Sequence, residues 1–335
     1  EIIMKIGIIG GGPAGLSTAD HLQTAGHEVV VFEKGPIAGN MIHYPVYMTW
    51  FSTKELLELG GVPLTIPQDK PTRRDYLHYL TRFVQVKNLD VRTYHTVTGV
   101  SGEKGDFRIH TVDNQGVEAE ESCELVVVAI GAFECANMMN IPGEDLPKVS
   151  HYYREPHLYH GQKVLVIGGR NSAVETALEI WRNGGEVSLS YRRSEFPNSV
   201  KYWMLPDIAN RIKNGEIAGY MPSEVISIQP DSVTLLHEGK EKTIPNDFVL
   251  ALTGYQPNTQ FLNELGIEID SETKRPNLDP ETYESNVPGM YVVGVIQAGN
   301  ISSEIFIENS RHHGEVIVEA LRREASQPLE PAVKS

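Results

Sequence analysis

Lys5-Ile-Gly-Ile-Ile-Gly10-Gly-Gly12-Pro13-Ala14-Gly15 is the stretch that decides the fold. A short apolar strand enters a glycine cluster, and Leu16 to Ala25 then takes up a helical pattern. A second strand, Glu28 to Glu33, ends in a carboxylate about 20 residues on. Strand, glycine turn, helix, strand and terminal acid together are the fingerprint of a dinucleotide site. Gly10 permits the tight turn, Gly12 lets the main chain approach a pyrophosphate, and Gly15 lets helix and strand pack closely. The helix N-terminus offers uncommitted N–H groups and the positive end of its dipole. Glu33 can accept hydrogen bonds from both ribose hydroxyls, and its charge would repel a 2′-phosphate.

The pattern recurs downstream. Gln162 to Gly168 reads as a strand, Gly168-Gly169-Arg170-Asn171-Ser172-Ala173 as the turn, and Val174 to Asn183 as a helix stopped by Gly184-Gly185. Ala173 at the third glycine position is still small enough for close packing. The following strand, Glu186 to Arg193, ends in Tyr191-Arg192-Arg193 where the first unit has Glu33. Two guanidiniums there suit the 2′-phosphate that distinguishes NADPH from NADH. Leu125 to Gly131 and Phe248 to Gly254 read as buried strands ending in glycine, the mark of domain crossings in two-dinucleotide flavoproteins. Gly289 to Gly294 reads as a last strand, leading to a helix over Ile305 to Arg322. The expected fold is α/β with two Rossmann-like domains. An FAD domain over 1–135 and 256–323 is split around an NADPH domain over 136–255, with a frayed tail over 324–335.

The 335 residues fit about two domains, and 29 basic against 44 acidic residues leave a net charge of −15. That balance disfavours nucleic acid as a partner, because phosphate neutralisation needs a basic footprint. No apolar run approaches the roughly 20 residues of a membrane span. Cys123 and Cys135 are the only cysteines and form no Cys-x-x-Cys, the usage of a reducing compartment, so cytoplasm is expected. The twelve histidines show no metal-ligand spacing; His312 and His313, adjacent in a helical pattern, point apart and suit surface or interface roles, so no metal is expected.

With these residues in view, the chain resembles the thioredoxin-reductase-like flavoproteins and, more closely, the bacillithiol disulfide reductase family. The resemblance spans nearly the whole chain. It rests on the paired glycine turns, Tyr44-Pro45, Thr49-Trp-Phe51-Ser52, His151-Tyr-Tyr, Val166 to Ala173, Tyr191-Arg192, Met204-Leu-Pro206, Thr253-Gly-Tyr and Ile305-Phe-Ile-Glu-Asn309. It implies FAD contacts along Gly10–Gly15 (Pro13 and Ala14 included), at Glu33 and Lys34, at Thr49 to Ser52, and at the start of the Ile305 helix, which would aim its positive end at the flavin. Tyr44, Trp50 and Phe51 are candidates to cover the ring and Thr49 to bond its edge, or else all pack under a loop; Gly131, Gly254 and Gly294 mark strand ends facing the cofactors. It implies NADPH contacts at Gly168 to Ala173 and Arg192, and a homo-oligomer, dimer or tetramer. Two positions depart from pattern. The family generally has a cysteine where this chain has Ala14, and thioredoxin reductases have an aspartate where this chain has Val295, as the closer family also lacks it.

A thioredoxin reductase needs a dithiol beside the flavin, which Cys123 and Cys135 cannot supply, so both read as structural. What remains is hydride transfer from NADPH to FAD and onward transfer to an acceptor. A low-molecular-weight disulfide leads. A ferredoxin- or flavodoxin-NADP reductase is the alternative, though residues 323–335 lack the aromatic extension of that class. A flavin-bound redox sensor of low turnover is a third reading, favoured by Ala14. Lys201-Tyr-Trp-Met-Leu-Pro206 suits either the flavin or a subunit contact.

Overall fold

The computed structural model describes residues 3–301 and 304–326. They form two compact units, one within residues 1–42, 48–135 and 255–335, the other of 43–47 and 136–254. The segment His43–Tyr47, expected in the first domain, therefore groups with the second.

The first unit is built on five parallel strands in the order Met290–Val292, Leu125–Val128, Lys5–Ile9, Glu28–Glu33, Asp90–Thr93. Their near-continuous burial reflects a sheet covered on both faces. On one face lies the helix Pro13–Thr24, burying Leu16, Ala19 and Leu22. On the other, Phe107, Ile109 and Cys123 of a three-stranded antiparallel sheet pack with Val30, Phe32, Val126 and Val128. At about 25 cal/mol per Å2 of apolar surface, each such buried side chain stabilises the unit by roughly 1.5–3 kcal/mol before entropy. Strand Lys5–Ile9 is the first in sequence and sits centrally, so the sheet grows from it in both directions. The crevice at its carboxyl end is a topological switch point, where dinucleotides bind in such sheets.

Helix Arg73–Lys87 is set by its ends. Thr72 Oγ1 accepts from the Asp75 N–H at 3.2 Å and Asp75 answers with its carboxylate on the Thr72 N–H at 2.9 Å. Asn88, at φ 51°, closes it. Its buried face carries Tyr76, Tyr79 and Phe83.

The second unit repeats the plan with parallel strands ordered Ala218–Tyr220, Glu186–Ser190, Lys163–Ile167, Phe248–Ala251, Val149–Ser150. Helix Asn171–Arg182 begins three residues earlier than its apolar pattern suggests, directly after the glycine turn. A three-stranded antiparallel sheet, Ser223–Ile228, Ser232–His237 and Lys240–Pro245, covers the far face.

The expected helix from Ile305 to Arg322 is two pieces, Ile307–Ser310 and His313–Ser326. At the break Ser17 Oγ donates to the Arg311 carbonyl at 2.6 Å, and the Glu315 N–H turns to the His312 carbonyl instead, while the Arg311 guanidinium reaches the carbonyls of Glu55 and Glu58 at 3.0 and 2.8 Å. Residues 324–326, expected to be frayed, continue the last helix; 327–335 lie outside the described residues. Among the described residues no helix is long and apolar enough to cross a membrane.

Candidate functional site

In the first unit the glycine turn is dictated by contact. Gly10 has φ +111°, and a Cβ there would lie 2.4 Å from the Ala129 carbonyl oxygen. A Cβ on Gly15 would lie 2.0 Å from the carbonyl oxygen of Gly10, so helix and turn close only with glycine at both positions. Gly12 is different: nothing lies within 4 Å of its missing side chain. Its emptiness is on the outside, where a ligand's phosphates would come. Leu16 N–H makes the first intrahelical bond, to Gly12 at 2.9 Å, so the helix N–H groups ahead of it have no partner within the helix.

Glu33 is buried at 7% exposure. Its Oε2 accepts from the Gly11 N–H at 2.8 Å and its Oε1 from the Gly35 N–H at 3.0 Å. Each oxygen keeps a second lone pair for a ligand hydroxyl. Gly11, inside the Gly10–Gly15 run, is what allows this: a Cβ there would sit 3.0 Å from the Glu33 Cβ. The uninterrupted Gly10-Gly-Gly12 run was its signal.

The other residues implied on this side are placed as follows. Lys34 forms an ion pair with Glu134 at 2.7 Å. Tyr44 groups with the second unit, its phenol pushed up to about 12 by burial. Thr49 is exposed and bridges to Thr72. Trp50 packs edge-on against Tyr76, ring centroids 5.1 Å apart. Phe51 is 63% exposed, with Lys70 Nζ 5.2 Å from its ring. Ser52 donates to Glu308. Ile305 precedes a helix of four residues, Ile307–Ser310, so the helix expected to begin near Ile305 is a single turn before the break. Gly131 has φ +71°, as its place after the Leu125–Val128 strand requires.

Gly294, at φ +87°, ends the last strand beside the first turn: a Cβ there would lie 2.9 Å from the Ala14 Cβ. Its N–H donates to His313 Nδ1 at 3.1 Å. His313 is thus 6% exposed inside the unit, not on the surface as its sequence suggested, and burial pushes its imidazole down to about 4. No local signal marks it, because a histidine pair in a helix reads as solvent-facing.

The second turn mirrors the first. Gly168 has φ +138° and faces the Leu252 carbonyl, 2.5 Å from where a Cβ would be. Ala173 takes the place of the third glycine with its Cβ 3.0 Å from that same point. Gly169 lies under Tyr191, whose ring would be 2.4–2.5 Å from a Cβ there. Tyr191 is buried and stacks on Phe196 at 6.1 Å, so its ring is committed to supporting the turn. Arg170, Ser172, Arg192 and Arg193 are exposed around it, and Asn171 opens the helix. In the same unit Gly254, at φ +96°, accepts from the Asn137 N–H at 2.9 Å.

The thiols are poor nucleophiles. Cys123 is a core residue, its thiol pushed up to about 11 by burial and the nearby Glu121 carboxylate. Cys135 is half-buried and also raised, by burial and Glu134. Among the described residues no His, Cys, Asp or Glu group of three could hold a metal ion.

Two switch-point crevices, each with a glycine turn, an open helix start and a polar strand end, define a two-dinucleotide flavoprotein oxidoreductase of the thioredoxin-reductase-like fold. Gly12's open face and the spare lone pairs of Glu33 fit FAD, and the paired exposed arginines fit NADPH, the cofactors of this class. Residues 7–294 match the family described as pyridine nucleotide-disulphide oxidoreductase, and the chain belongs to that family. It is 42% identical over 320 residues to bacilliredoxin reductase Bdr of Bacillus subtilis, covering 95% of this chain and 97% of that one. The bacillithiol disulfide reductase Bdr (YpdA) from Bacillus cereus superposes with a TM-score of 0.93 at 38% identity, covering 96% of this chain and 100% of that one. Its counterpart from Staphylococcus aureus gives 0.91 at 35% identity, covering 97% and 99%.

Proposed function

We propose that this protein reduces bacillithiol disulfide with electrons from NADPH, holding FAD in the first unit and NADPH in the second. The observation that carries the reading is the opposite chemistry of two otherwise matching turns: a buried carboxylate at Glu33, and exposed guanidiniums at Arg192 and Arg193. The substrate comes from the relatives, whose names specify that disulfide. With both cofactors bound, the chemistry supplied is hydride transfer from nicotinamide to flavin and two-electron reduction of the acceptor, so that one NADPH and one proton convert one disulfide into two thiols.

The chain's own part is to bind and orient. Glu33 and the main chain of Gly12 and the helix start that follows it hold the ribose and pyrophosphate of FAD. Arg192 and Arg193 select the 2′-phosphate of NADPH. Ala14, whose methyl is set against Gly294, offers no nucleophile, and both cysteines are held as thiols well above neutral pH. Electrons therefore reach the disulfide without a protein thiol relay. A cytoplasmic homo-oligomer is part of the same proposal, supported by the two unpaired cysteines and the resemblance.

Steady-state assay of thiol release from bacillithiol disulfide tests this. Two thiols per NADPH consumed, above the oxidase background, are expected; release at background alone would sink the substrate assignment.

A further inference from the structure

Residues 199–204 belong to no regular element before Met204, yet they are held firmly. Val200 and Met204 are anchored in the core of the second unit at 2% and 6% exposure. Between them the chain is pinned to the start of helix Asn171–Arg182 by one side chain. Asn171 Oδ1 accepts from the Lys201 N–H at 2.8 Å, and Asn171 Nδ2 donates to the Ser199 carbonyl at 3.1 Å. Both ends of the carboxamide are used, so Asn171 has a task besides lining the turn.

Two further features lie on the held segment. Lys201 Nζ forms an ion pair with Glu175 at 3.0 Å, and the lysine side chain is only 15% exposed. Glu175 stands in the second turn of the helix, where a carboxylate would oppose the phosphates of a bound dinucleotide; Lys201 cancels that charge. Next to it, Tyr202 and Trp203 meet edge to face at 5.0 Å, with Lys201 Nζ 5.8 Å from the Trp203 ring. They are 80% and 45% exposed, a large aromatic surface facing water beside a nucleotide turn.

We infer that Asn171 is a positioning residue whose carboxamide clasps the strap Ser199–Trp203 across the start of the helix, making Lys201 and Trp203 the outer wall of the NADPH site. The inference rests on the reading that this turn takes NADPH. The clasp fixes where the strap's cation and aromatic face meet the nucleotide. Bound nucleotide in turn covers Trp203. Aromatic rings and a neutralising lysine are the chemistry that suits a planar, polyanionic ligand.

The test uses oxidised holoenzyme and NADP+, which binds without reducing the flavin. Calorimetric titration should show Asn171→Ala weakening NADP+ by about tenfold, the expected size for two lost hydrogen bonds. Lys201→Met should weaken it similarly, and in turnover both losses should fall on KM for NADPH rather than on kcat. Acrylamide quenching gives a readout that a merely structural role would not move. The difference between wild type and Trp203→Phe isolates Trp203 among the three tryptophans. NADP+ should protect that component in wild type and not in Asn171→Ala. Wild-type binding of NADP+ with Trp203 unprotected, or with both variants binding as wild type does, overturns the inference alone. Wild-type holoenzyme that binds no NADP+ overturns the NADPH assignment itself.

Discussion

Replacing His313 by asparagine should remove a pH dependence that the wild-type fold carries. The His313 ring is buried, and its Nδ1 accepts from the Gly294 N–H, so the neutral ring carries its proton on Nε2. Protonation would set an N–H against an N–H in a buried site. Burial, with the neighbouring His312 adding a little, pushes the group from 6.5 down to about 4. The unfolded chain takes up the proton first as pH falls. Stability contributed by the neutral ring is therefore complete above about pH 6.5, is lost progressively down to about 4, and changes no further below that. The slope in the window approaches about 1.4 kcal/mol per pH unit, and the loss between pH 7.5 and 5.0 comes to about 2 kcal/mol. Asparagine puts Oδ1 where Nδ1 was, keeps the Gly294 bond, and does not titrate. Urea denaturation of the two proteins at both pH values, followed by flavin release, gives the comparison. Wild type should lose about 2 kcal/mol more than His313→Asn on acidification; equal losses would refute the reasoning.

Other perturbations separate the parts of the account. Arg192→Ala with Arg193→Ala should raise KM for NADPH by roughly 10–100-fold, the size of lost charge-assisted hydrogen bonds, while KM for NADH stays put; an unchanged NADPH constant would undo that assignment. Cys123→Ser with Cys135→Ala should keep disulfide turnover within about twofold, since neither thiol is in the proposed path; abolished turnover with FAD still bound would restore a thiol relay. Gly12→Leu should fold, because a Cβ there enters open space, and yet purify without flavin. Gly15→Ala should fail in both respects, because its Cβ would sit 2.0 Å from a main-chain oxygen. Circular dichroism and flavin absorbance on the two variants distinguish these outcomes.

The two glycine turns were legible because everything that makes them is local: strand, glycines and helix follow one another within about 20 residues. Glu33 was legible for the same reason, though its bond to Gly11 needed the fold. Where sequence adjacency stands in for spatial adjacency, less is legible. Tyr44 is five residues from Thr49, yet the chain changes unit between them, at 43–47. The apolar pattern from Ile305 onward promised one helix, and it is interrupted where the Arg311 carbonyl accepts from Ser17, 294 residues away. His313 looked like a surface residue because nothing near it in sequence announces Gly294. Tyr191 stands at a strand end where cofactor contacts are expected, but Gly169 leaves a space there that its ring fills. The clasp by Asn171 was hidden in the same way, its partners lying some 30 residues on.

In the proposed reaction, reduced flavin passes its electrons to the disulfide without a protein thiol. It is tested most directly by an anaerobic titration of the yellow holoenzyme with NADPH, followed by one equivalent of bacillithiol disulfide. Bleaching by NADPH and full recovery of the oxidised flavin spectrum are expected, with two thiols released and the same recovery in Cys123→Ser with Cys135→Ala. Bleaching that oxygen, a quinone or ferredoxin reverses but the disulfide does not would contradict it, leaving the cofactor assignments in place and the acceptor wrong.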